Sequence, residues 1–319
     1  MANSAEELCA TVDAVRLSEA GALLFCMDSV DPMGPQAMLS ALRDFCAAQV
    51  DAEVAARIVE LARPGFALTP AGPGEAAGYS RFGGRALLEP GTPWPTCDGF
   101  PLSLHAVLDT DPLAPWLDGL VPPGTGLLNF FYLDTQSKQA HPDAWDLYDK
   151  YGFRNERALG CVLAARSAHT VEVDPPARAS VFEPTPWAAT YGLLLPHTFD
   201  PVWQTVNLGP ELDDKTCGGS FVFLEEIFPR WSDRPHGVIE PPGPGDRVDL
   251  AFGRHQGTTS NGPNLPADAD PNDYHHLLQL TGNDQWYMGG DGGTLHWAIP
   301  TAALHVGDFS QATPTPDLS

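Results

Sequence analysis

Pro101-Leu102-Ser103-Leu104-His105-Ala106-Val107-Leu108-Asp109, followed after a Pro- and Gly-rich loop by Gly126-Leu127-Leu128-Asn129-Phe130-Phe131-Tyr132-Leu133, decides the class of fold. Each is a short apolar run bounded by turn residues. That is the length and punctuation of a buried strand and not of a helix, which needs ten or more residues to cover a core face. The same texture returns at Gly160–Ala165, Tyr191–Leu195, Gly218–Leu224, His275–Leu280 and Thr294–Ile299. Gly and Pro break the chain between these runs throughout the part that follows Pro70. Segments 135–158 and 196–215 read as helical or irregular.

The first 64 residues read differently. Leu8, Val12 and Val15 share one helical face, with Ser4 as N-cap and Glu7 three residues on. A second helix is expected after Pro35 through Met38, Leu39, Leu42, Phe45 and Cys46. A third is expected from Asp51 through Val54, Ile58, Val59 and Leu61, stopping at Pro64-Gly65. Strands and helices do not alternate as a doubly wound sheet requires, so the expected architecture is α+β. A helical segment, residues 1–64, packs on a β-rich body, residues 65–319. Gly83-Gly84 leads through a long loop into the strand 101–109, and Gly253-Arg254-His255-Gln256-Gly257 leads through another into Tyr274–Leu280. This echo suggests an internal duplication.

Composition narrows the function. Among 319 residues there are 41 Asp and Glu against 17 Lys and Arg, a formal net charge of −24, yet 43% are hydrophobic, so a sizeable core is expected. A field this negative repels phosphate backbones and argues against nucleic acid as a partner. The apolar run Gly21–Met27 is too short to span a bilayer, and no basic and apolar leader pattern opens the chain. Cys9, Cys26, Cys46, Cys97, Cys161 and Cys217 are scattered without a C-x-x-C pair, which points to reduced thiols and a cytoplasmic setting.

Three blocks then resemble a known family. Arg81-Phe82-Gly83-Gly84, Leu88-Glu89-Pro90-Gly91-Thr92-Pro93-Trp94-Pro95 and Gly99-Phe100-Pro101-Leu102 form the first. Gly126-Leu127-Leu128-Asn129-Phe130-Phe131-Tyr132 is the second. The third comprises Leu277-Leu278-Gln279-Leu280, Gly290-Asp291-Gly292-Gly293-Thr294-Leu295 and Gly307-Asp308-Phe309-Ser310. Together they resemble the YwqG-like (DUF1963) family over roughly residues 60–311. The resemblance implies a β-rich α+β fold, a cytoplasmic bacterial setting and no established activity. Arg85 stands where the family usually has Pro, and His255-Gln256-Gly257-Thr258-Thr259-Ser260 lacks the proline usual in the second glycine block.

No nucleophile elbow, phosphate loop or strong metal motif is present. Asp109-Thr110-Asp111 and Asp268-Ala269-Asp270 match a two-residue pattern that chance produces readily. The calcium-loop start at Asp268 fails, having Asp273 at its sixth position and Gln279 at its twelfth. Glu225-Glu226 would need a strand break to act as a pair. Trp94, clamped between Pro93 and Pro95, is either a recognition residue or a core anchor. From His255 to Ser319 there is no Lys or Arg, but seven Asp and five of the ten histidines occur. Strict strand alternation puts His275 with Gln279 and turns His276 the other way, so His255, His275, Gln279, Asp291 and His296 are expected to share a polar face. With Trp94 and Gln256 these are the candidate ligand-binding residues. His275, Asp291 and His296 are the candidates for a divalent metal, although no cofactor is required by any motif. The favoured expectation is a non-catalytic binding protein for a basic protein partner or a small ligand, for example an immunity or antitoxin protein. The alternative is a metal-assisted hydrolase or accessory biosynthetic enzyme using the His/Asp face.

Overall fold

The strand Ser103–Asp109 (β6) is buried along its whole length, as is its partner Leu127–Tyr132 (β7), and around this pair the rest of the sheet is organised. The computed structural model describes residues 34–152, 156–197, 200, 202–203, 206, 248–256, 270, 273–288 and 293–317. The expected helix Ala5–Val15, the strand Gly218–Leu224, Glu225-Glu226, Asp268 and Asp291 lie outside the described residues.

Two helices open the described chain. Pro35–Ala47 (α1) buries Met38, Leu42, Phe45 and Cys46, the face its spacing predicts. Ala52–Leu61 (α2) starts on Asp51, whose carboxylate accepts the Glu53 N–H at 2.8 Å. Only Ala62 separates α2 from strand Arg63–Pro70 (β1), so residue 65 is the third residue of a central strand. The helices pack on Leu193 and Leu195 at the end of strand Thr185–Leu194 (β10), and on Trp203.

The further elements are Arg81–Phe82 (β2), Ala86–Leu88 (β3), Thr96–Cys97 (β4), Phe100–Pro101 (β5), Ala144–Tyr151 (α3), Gly160–Ala165 (β8) and Val171–Val173 (β9). Asp249–Phe252 (β11), Tyr274–Thr281 (β12), Thr294–Pro300 (β13), Thr301–Val306 (α4) and Thr313–Asp317 (β14) complete them. Ten strands form one antiparallel sheet in the order β14-β13-β12-β11-β1-β10-β2-β6-β7-β8. Its two edges approach each other, with Pro314 of β14 against Gly160 of β8. The result is a β-rich α+β fold. Among the described residues no helix is long and apolar enough to cross a membrane.

The order is symmetrical about the central β1–β10 pair. From β10 the arm β2-β6-β7-β8 runs in chain order, and from β1 the arm β11-β12-β13-β14 does the same. Each arm carries a bulge at one place, between Leu104 and Ala106 against β7 and between His276 and Leu278 against β13. Each also turns on two consecutive left-handed residues. Gly83 and Gly84 have φ of 64° and 82°; Phe252 and Gly253 have 58° and 75°. Both markers place 82 opposite 251 and 105 opposite 277, and the ladders then carry 129 to 296 and 165 to 317.

Candidate metal centre

The left-handed Phe252-Gly253 turn ends β11 and sends Arg254, His255 and Gln256 inward. Both neighbours of His255 are tethered. Arg254 donates from Nε to the Leu61 carbonyl at 2.7 Å, and Gln256 donates from Nε2 to the Leu195 carbonyl at 2.6 Å. The Gln256 N–H also reaches Oε1 of Gln279 at 3.3 Å. His255 is thereby held 4.0 Å, centroid to centroid, from His296 of β13.

His276 joins them because of the bulge. The extra residue, Leu277, reverses the side-chain parity of β12, so His276 pairs with Ala298 and Gln279 with His296 on one face. The His276 ring lies 5.6 Å from that of His296 and 6.2 Å from that of His255. Asp317, directly across the ladder from Thr294, closes the group. His255, His296 and Asp317 each bring one donor atom to within 4.8 Å of the others. All are buried: His296 is 0%, Asp317 4% and His255 7% exposed.

Three close, buried imidazoles cannot readily hold charge. Burial, then the neighbouring His255 and His276, push His296 well below the usual histidine range. Burial, His276 and His197 do the same to His255. Burial brings His276 down to about 4, against the opposing pull of the Phe252 and Leu278 main chain. The rings are therefore neutral at pH 7, the form in which imidazole ligates metal. Among the described residues Nε2 of His255 has no hydrogen-bond partner. Two imidazoles and a carboxylate suit zinc and its neighbours better than calcium or magnesium. Tetrahedral bonds near 2.1 Å would set the donors about 3.4 Å apart, so from separations within 4.8 Å a bound ion would draw them inward by about 1.4 Å at most.

The corresponding positions in the other arm are Ala86 for His255, Leu104 for His276, Leu127 for Thr294, Asn129 for His296 and Ala165 for Asp317, all buried. There Asn129 ties down strand β3, accepting the Leu87 N–H at 2.9 Å and donating to the Leu87 carbonyl at 2.8 Å. The scaffold is complete with mainly apolar residues at these places, so folding alone does not call for a His/Asp group there.

Of the expected polar face, His255, Gln279 and His296 lie together, with the candidate Gln256 beside Gln279, whereas His275 does not join them. That ring faces away from the centre, its Nδ1 3.5 Å from Nη1 of Arg63. Burial, then Arg63, Arg254 and His305, lower it to about 3. A cationic guanidinium beside it makes His275 a poor place for a cation, so it drops out as a metal candidate. The alternation argument fails there because the bulge breaks the period of two. Asp291 is outside the described residues. Trp94 lies elsewhere, donating from Nε1 to the Leu102 carbonyl at 2.8 Å and standing edge-on to Phe131 at 5.1 Å, which is an anchoring role. His276 was expected on the opposite face, and Thr294 and Asp317 were not among the candidate site residues. Pro314 and Pro316 hide β14 as a strand, and they are tolerated because β14 is an edge.

Residues 80–162 match a known family. Its description is a domain of unknown function, DUF1963. The matched DUF1963 region takes in β2 to β7 and the start of β8, the arm whose corresponding positions are mostly apolar, and includes the first two sequence blocks noted above. The third block and the His/Asp group lie outside it. No curated protein matches the chain.

Proposed function

We propose that the protein binds one divalent transition-metal ion of the zinc class through His255, His296 and Asp317. The observation that carries this reading is the convergence of donor atoms from three buried residues, at positions that are Ala, Asn and Ala in the other arm. The burial of all three donors favours a closed centre that binds over one that turns over substrate, since catalytic metals keep an open position. On this reading the two arms descend from an internal duplication, and the centre was added to the second.

The test is metal content and calorimetry on the full chain, stripped with chelator and titrated with zinc chloride. One equivalent should bind, with loss of binding in His255→Ala and Asp317→Ala and none in His275→Ala. Absence of binding, or equal binding by all three variants, would refute the reading.

A second reading rests on the charge of −24 and the exposed Asp143, Asp146 and Asp149 along α3. These suit a basic protein partner in a cytoplasmic setting, such as a toxin masked by an immunity protein. A complex of that kind would weaken steeply as salt is raised.

A further inference from the structure

We infer that Thr294, His296 and His276 form a one-way hydrogen-bond chain ending on the Phe252 carbonyl, which makes Nε2 of His296 the ligating nitrogen and His276 its positioning residue. The ligation half of this inference rests on the metal reading above; the proton order does not.

The order follows from the end of the chain that cannot donate. Nδ1 of His276 lies 3.2 Å from the carbonyl oxygen of Phe252, which accepts, so Nδ1 carries the proton. A neutral ring protonated there leaves Nε2 as an acceptor. Nε2 of His276 is 3.4 Å from Nδ1 of His296, so that nitrogen must donate and hold the second proton. Nε2 of His296 is then bare, and the Thr294 hydroxyl, 2.7 Å away, donates to it. The reverse order would point two lone pairs at each other at the Phe252 end, and the other alternative, a second proton on His276 with His296 in its Nε2–H form, would place a full charge on a buried ring. With both rings buried, the contacts at 3.2, 3.4 and 2.7 Å fit one arrangement.

Backbone geometry anchors the chain. The β11–β12 ladder is in register at Leu250–Gln279 and Ala251–Leu278, and the next place on β12 is the bulge. Phe252 there takes φ of 58°, and its carbonyl meets the His276 ring. The bulge and the left-handed turn thus do two jobs. One brings His276 onto the face of His296, and the other supplies the acceptor that sets its tautomer.

The chain also sorts the two roles. The bare Nε2 of His296 is on the side of Thr294, and Thr294 lies directly across from Asp317. An ion bound by Asp317 and His255 would take that lone pair in place of the Thr294 proton, and the hydroxyl would rotate away. Nδ1–H of His296 would keep its bond to His276, the outer contact that orients a ligating imidazole. His276 itself has both nitrogens engaged and is absent from the converging donor set.

Two measurements test this. Long-range proton–nitrogen spectra of the metal-free full chain, with nitrogen-15 histidine, should show both His276 and His296 protonated on Nδ1, the less common form of free imidazole. Protonation of either on Nε2 would overturn the chain. Zinc affinity should fall about 10–100-fold in His276→Leu, whose new side chain matches Leu104 of the other arm. In His276→Gln, which can both accept from His296 and donate to Phe252, it should stay within about threefold of the original. Unchanged zinc affinity in His276→Leu, or a loss in His276→Gln as complete as in His255→Ala, would overturn the positioning role. If the unaltered protein binds no zinc, the metal reading fails and the spectra alone decide the proton order.

Discussion

Acid should unfold this protein through His276, and the size of the effect can be worked from its surroundings. An unfolded histidine titrates near 6.5, whereas burial holds this ring down to about 4 in the folded state. Between those values the unfolded chain takes up a proton that the folded chain refuses, so stability falls as pH falls. The contribution is complete above about pH 6.5 and is lost at about 1.4 kcal/mol per pH unit, roughly 3 kcal/mol by pH 4. That is a large part of the stability of an ordinary domain. His255 and His296, lowered further, act in the same direction. The measurement is urea denaturation of the metal-free protein and of His276→Leu at pH 7, 6 and 5. The unaltered protein should lose stability faster across that window, by about one proton's worth of slope. Parallel pH profiles in the two proteins would refute the argument that this ring is buried and neutral.

Two further outcomes follow from single contacts. Asn129→Ala should destabilise by about 2–4 kcal/mol in a chemical melt, because it strands both main-chain groups of Leu87 in the core. Asp51→Ala should cost about 1 kcal/mol through the first turn of α2, read as a small fall in the thermal midpoint.

The strands legible in the sequence were those whose apolar runs are continuous, β6, β7 and β13 above all, because both faces of these strands are buried and every position must be filled. β1 escaped because Pro64 and Gly65 at its start signal a break, and β11 because four residues are too few to show a period. Of the His/Asp group, His255 and His296 were legible as polar residues in an apolar setting that lacks Lys and Arg. His276 was not, since a bulge leaves no mark in residue types and shifts every side chain before it to the opposite face. Asp317 was not, since its nearness to Thr294 is a property of a ladder between β13 and β14.

By itself, then, the sequence determined a β-rich α+β body preceded by helices, a net charge of −24, and a C-terminal stretch rich in imidazole and carboxylate. Those follow from local residue types and from charge, which need no knowledge of what folds against what. Only the tertiary structure decided that the sheet has two matching arms, that His276 and not His275 faces the centre, and that Asp317 meets His255 and His296. Each of these depends on register between strands distant in the chain, and register is set by a bulge and a turn whose effects appear only once the strands are paired.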